Sequence, residues 1–257
     1  MLYPSAGDDK LTESFDLQVS RGQVDGHSTV IVFGYNADVD TSEEQIWPDG
    51  GLVPHPASAV TLSVSSTSTE DTAAGTGART VYLEGLDNSF AAVSETVTLN
   101  GQTAVSTTNQ YRAVNGFTVM TVGSTGSNVG VINAGTGTVT GGTPAVLYDT
   151  IAATFNSRTT AHYTVPAEYA GYLKRGVFTA GQASGSSGVT GKMLVTDENG
   201  VTRVGAVVAL NNGSARYDFD PPLRIAAKSG IGATAAGTSA NNAVSAMFDI
   251  ILIQNEP

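Results

Sequence analysis

The sequence predicts an all-β protein: an extended N-terminal arm followed by two antiparallel, jelly-roll-like β-sandwich domains. Three observations carry this. Short runs of alternating apolar and polar residues recur along the chain, each closed by a turn residue. Ser and Thr together number 55 of 257 residues while only 14% are charged, a composition that favours pleated, half-buried surfaces. No stretch sustains the 3.6-residue period of an amphipathic helix; residues 148–156 offer one or two turns of helix at most.

The strands follow in order. Residues 28–33 (STVIVF) are β-branched and apolar and stop at Gly34. Residues 60–64 (VTLSV) place Val60, Leu62 and Val64 on one face. Residues 80–84 (TVYLE), 95–99 (ETVTL, followed by the Asn100-Gly101 turn) and 116–122 (GFTVMTV) complete a first series. A second begins at 161–165 (AHYTV), stopped by Pro166, and continues at 172–179 and 192–196. Asp197-Glu198-Asn199-Gly200 then turns into 201–210, a strong hairpin signal. Asn211-Asn212-Gly213 turns again into 216–219, ahead of Pro221-Pro222, and 246–253 forms a strongly apolar last strand. Turn signals at this spacing predict sandwiches at 54–148 and 149–257. Residues 1–53 hold too few apolar residues for a core of their own and read as an arm with a strand pair.

Charge is distributed unevenly. The net charge is −11. Residues 1–53 carry ten acids (Asp8, Asp9, Glu13, Asp16, Asp25, Asp38, Asp40, Glu43, Glu44, Asp49) against Lys10 and Arg21. Residues 149–257 are balanced, with eight acids and eight bases, and residues 113–148 carry no charge at all. An acidic chain lacks the Lys and Arg that displace counterions from phosphate, so no nucleic-acid partner is expected. The start, MLYPSAGDDKLTESFD, has neither a basic nor an apolar leader region, and apolar runs as short as 250–253 cannot span a bilayer; no membrane partner is expected. Without Cys there is no disulfide, thiolate nucleophile or Cys-ligated metal.

Catalytic patterns are missing. His27, His55 and His162 lie in separate segments without metal-ligand spacing. No nucleophile elbow or phosphate loop occurs, and Gly135-Thr136-Gly137 is not followed by a helix pattern. Asp38-Val39-Asp40 opens like a calcium loop, but Glu43 stands where the sharp-turn Gly belongs and Asp49 replaces the final Glu. Asp218 and Asp220 share a strand face without an evident cleft. No catalytic residue, cofactor or metal is therefore expected. The candidate contact residues are Asp38, Asp40, Glu43, Glu44, Trp47 and Asp49: an acidic run suited to a basic partner, ending in the single Trp, which packs the arm locally or anchors it in a neighbouring subunit.

Several segments resemble a family of virion structural proteins from tailed bacteriophages, many of them marine. They are FGYNADVD at 33–40, IWPDGG at 46–51, SSTS at 65–68, DTAAGTGART at 71–80, SETVTLNG at 94–101, YTVPA at 163–167, PPL at 221–223, AKSGI at 227–231 and NNAVSA at 241–246. Members often carry an acid after Lys-Ser where this chain has Gly230. The resemblance implies a particle component rather than an enzyme. The expected role is a trimeric capsid decoration or cement protein on the virion, with the major capsid protein or another virion protein as partner. A neck, tail or fibre component, touching host glycans, is the alternative.

Overall fold

A computed structural model describes residues 13–182 and 188–255. The chain is all-β with antiparallel sheets. One short helix, α1 (Phe15–Ser20), is capped by the Ser14 side chain, which accepts from the Leu17 N–H. Sixteen strands follow: β1 (His27–Val39), β2 (Glu44–Gln45), β3 (Val60–Ser66), β4 (Ala78–Leu86), β5 (Ala92–Thr98), β6 (Val105–Tyr111), β7 (Ala113–Val122), β8 (Ile132–Thr140), β9 (Thr143–Ile151), β10 (His162–Thr164), β11 (Tyr169–Gly181), β12 (Gly188–Thr196), β13 (Thr202–Asn211), β14 (Gly213–Ile225), β15 (Gly230–Gly237) and β16 (Asn242–Gln254).

They form four sheets. Two have the orders β6-β3-β8-β9 and β5-β4-β7. Between them lies one core, including Leu62, Val64, Val81, Leu83, Phe117 and Ile132. The other two have the orders β1-β16-β11-β14 and β10-β15-β12-β13, with β2 added to β15. Their core includes Val32, Ile46, Phe178, Met193, Val208, Ile231 and Phe248. The chain enters the second pair of sheets through β1 and β2, leaves to build the first pair, and returns from β10 onward.

This course revises the expected divisions. From residue 27 the N-terminal segment is no arm: β1 pairs along its length with the last strand, from His27 opposite Ile253 to Val39 opposite Asn242. Alternation explains it. Val30, Val32 and Gly34 face Ile250, Phe248 and Ala246 across the ladder, and Val32, Phe248 and Ala246 enter the core. Residues 1–12, with Asp8, Asp9 and Lys10, lie outside the described residues. The division expected at Tyr148 falls inside β9, whose last residue, Ile151, belongs to the first core. The helical turns considered at 148–156 are strand and turn instead. The uncharged stretch 113–148 is β7, β8 and most of β9; it buries Val114, Phe117, Ile132 and Ala134 but leaves Met120 58% exposed.

A buried carboxylate organises the loops at one end of the first core. Asp71 is fully buried and accepts from the Ser66 hydroxyl (2.6 Å) and from the N–H groups of Ala78 (2.7 Å), Val129 (2.9 Å) and Gly130 (2.8 Å). Four donors on one carboxylate replace the water it gives up. Gly77 lets the loop approach, since a Cβ there would overlap Asp71 Oδ1.

Candidate functional site

The acidic run from Asp38 to Asp49 closes the second pair of sheets rather than hanging from it. Asp38 and Asp40 are exposed at the end of β1. The Asp38 N–H donates to Asn36 Oδ1 (2.9 Å) and the Asp40 carbonyl accepts from the Gly237 N–H (2.7 Å), so backbone groups hold both and leave the carboxylates to solvent. Glu43 bridges Lys192 (2.6 Å) and the Thr234 hydroxyl (2.7 Å). The Lys192 hydrogen bond, ahead of that from Thr234, holds its carboxyl below the usual range. Glu44 is half-buried and accepts from Asn36 Nδ2 (3.2 Å).

Trp47 is committed to its own chain. It is 2% exposed, and its indole N–H donates to the Gly50 carbonyl (2.7 Å). Ile46 beside it donates its N–H to the Ala233 carbonyl and accepts from the Ala161 N–H, both at 2.9 Å. This is the local-packing role; an indole so enclosed offers no surface to a neighbouring subunit. Asp49 stays exposed in the following turn. Of the six candidate contact residues, the structure leaves Asp38, Asp40 and Asp49 open.

Sequence reasoning did not find a second constellation, where the two cores meet. The rings of His55 and His162 lie against each other with centroids 4.4 Å apart and planes tilted by 36°. His55 stands in the Pro54-His55-Pro56 strap that carries the chain from β2 to β3, and His162 opens β10. Gly230 and Gly232 of the neighbouring β15 leave room for the His162 ring; a Cβ on Gly230 would stand 3.0 Å from its Cε1. His162 Nε2 meets the Thr164 hydroxyl at 3.1 Å. Burial, then His55 and Arg158, push its imidazolium well below the ordinary range, so it is neutral at pH 7.

Beneath this pair Asp149 is fully buried against Arg158. Asp149 Oδ1 accepts from the Thr160 hydroxyl (2.7 Å) and the Thr150 N–H (2.9 Å). Arg158 donates to the carbonyls of Asn115 (2.7 Å) and His162 (3.2 Å). Asn115 in turn exchanges two hydrogen bonds with Thr164: its Nδ2 donates to the carbonyl (2.8 Å) and its Oδ1 accepts from the N–H (2.9 Å). Asp149 and Asn115 belong to strands of the first core, and His162 and Thr164 to a strand of the second. The junction is thus pinned by buried polar contacts.

Alongside runs a cleft of about 280 Å³, lined in part by His55, Phe90, Arg112, Asp197, Glu198 and Lys228. Arg112 lies 4.9 Å over the Phe90 ring, and Lys228 faces Glu198 at 3.6 Å. Asp197 in turn pairs with Arg203 at 2.7 Å. No group of three or more metal-ligating side chains occurs among the described residues; His162 and Thr164, with the hydroxyl beside Nε2, also line the cleft. The signal for this junction lies in contacts between segments far apart in sequence, which spacing cannot reveal.

No family model and no curated protein matches this chain. Among solved structures, a chain of the T13 IBDV viral particle aligns at 8% identity over 89% of this chain and 73% of its own, with a TM-score of 0.21. A chain of the infectious bursal disease virus Gx strain aligns at 10% identity over 89% and 77%, with a TM-score of 0.19. At these scores no common fold is defined.

Proposed function

We propose that this chain is a non-enzymatic structural component of a tailed-bacteriophage virion, acting as a trimeric capsid decoration or cement protein. In this reading each pair of sheets is a jelly-roll-like β-sandwich, and the junction between them makes a two-part body of fixed geometry. The observation that carries the proposal is the distribution of exposed apolar residues on strands and loops of both sheet pairs. Ile31 is 69% exposed, Leu52 67%, Met120 58% and Phe155 46%, on a protein of which only 14% of residues are charged. Isolated exposed apolar residues are ordinary on any protein surface; on both parts of a weakly charged chain they leave room for neighbours on several sides. The family resemblance of the sequence points the same way.

The mechanism is linkage: an added interface stabilises the assembled shell over its parts. The open carboxylates of Asp38, Asp40 and Asp49 give the acidic end a partner preference, a basic patch on the major capsid protein or another virion protein. Such charges set register and encounter rate more than affinity. Replacing Asp38 and Asp40 together by Lys leaves the fold intact and slows association with undecorated shells. Unchanged association kinetics at low salt would remove these residues from the contact.

A further inference from the structure

The first strand has an edge that no other strand covers among the described residues. In an antiparallel ladder each residue directs both its N–H and its C=O to the same neighbour, and successive residues alternate. The Tyr35 N–H points away from β16, donating to the Thr159 carbonyl at 3.0 Å, and the His27 N–H does the same toward Val24 at 3.2 Å. Thr29, Ile31 and Phe33 lie between them in phase. Their N–H and C=O groups therefore face outward, and β1 has β16 as its only strand partner among the described residues.

Edge strands are usually blunted by charge, Pro or a bulge. This one is not. Residues 28–33 read STVIVF, the register with β16 is unbroken there, and Ile31 and Phe33 are 69% and 44% exposed. In front of the edge is a groove of about 440 Å³, whose far wall is formed by Glu84, Val93 and Ser94 of β4 and β5. Asn115, which ties the two sheet pairs together through Thr164, also lines it. The exposed Glu84 has no ion-pair partner among the described residues. The groove thus offers bare main-chain groups on one side, a fixed wall on the other, and one unanswered negative charge.

We propose that this groove is a strand-addition site for an extended segment of another protein, pairing with β1 at Thr29, Ile31 and Phe33 and placing a Lys or Arg against Glu84. Main-chain hydrogen bonds supply the affinity and alternate side chains the selectivity. The acidic wall and the net charge of −11 favour a basic strand over a second copy of this chain. Such a groove takes an extended strand whether or not the chain belongs to a virus particle.

The test is amide hydrogen exchange on the full chain with a blocked octapeptide of alternating Thr and Val carrying one central Lys. The amides of Thr29, Ile31 and Phe33 gain about tenfold protection at millimolar peptide, while those of Val30 and Val32, already in the ladder, do not change. E84Q, on an exposed side chain, weakens peptide binding several-fold. Three results overturn the proposal: no protection at those amides, equal binding of a backbone N-methylated peptide, or protection that rises with protein concentration alone, which would give the edge to a second copy.

Discussion

His55 and His162, from segments on opposite sides of the first core in sequence, meet with ring centroids 4.4 Å apart and planes tilted by 36° where the two cores meet. Buried beneath them, Arg158 donates to the His162 carbonyl. Burial lowers the proton affinity of both imidazoles, and at His162 the neighbouring His55 and Arg158 lower it further.

Acid should therefore loosen the protein. His162 is held well below its ordinary value of 6.5 by burial first, then by His55 and Arg158. Between the folded and unfolded values the unfolded chain binds more protons, so stability rises with pH. The contribution is complete above 6.5 and is lost as pH falls through the folded value. The melting temperature should drop between about pH 7.5 and pH 5, and H162N should flatten the slope. Asp149, raised by burial despite Arg158, contributes a slope of opposite sign in both proteins, so their difference isolates the histidine. Parallel pH profiles would remove His162 as the source.

The Asp149–Arg158 pair should show the asymmetry of buried ions. R158A strands a fully buried carboxylate and should cost about 3–5 kcal/mol in urea unfolding. The double replacement D149L/R158M should recover a large part of that, because neither charge then remains without its partner. The carbonyls of Asn115 and His162 lose their donor in both variants, so recovery should be incomplete.

Asp71 explains why the stretch 71–80 reads as it does. D71N keeps the shape but turns an amide N–H₂ toward donors that now lack an acceptor. Each buried unsatisfied donor costs about 1–3 kcal/mol, so the loss in chemical denaturation should exceed that of a surface Asp such as Asp38, which is expected within about 0.5 kcal/mol of wild type.

Gly34 tests the place of β1. A Cβ there would overlap the Ala161 backbone and side chain and the Ile46 carbonyl. G34A should destabilise by about 1–3 kcal/mol through overpacking. A free arm would tolerate it without change.

Much of the strand content is legible in sequence. The turns at Asp197–Gly200 and Asn211–Gly213 do connect β12 to β13 and β13 to β14. What is not legible has identifiable causes. β15, GIGATAAG, has the strand-poor composition of a segment packed so closely that Gly and Ala are required. β14 runs through Pro221 and Pro222, which read as a stop; as an edge strand it can spare their missing N–H groups. The pairing of β1 with β16 joins strands far apart in sequence, and the apolar residues too few for a core of their own in residues 1–53 are instead shared with the last strand. Trp47 stands out by type, but its burial depends on the turn to Gly50. The paired histidines appear only when β10 folds back against the strap.

The central claim is that this chain is built into a virus particle. The direct measurement is electron microscopy of purified particles, with the chain's copy number determined by quantitative mass spectrometry. The account predicts trimeric density of this two-part shape on the capsid surface, at on the order of hundreds of symmetry-related copies. Absence of the chain from purified particles would contradict the virion assignment, and confinement to about a dozen copies or fewer at the neck or tail would contradict the decoration role.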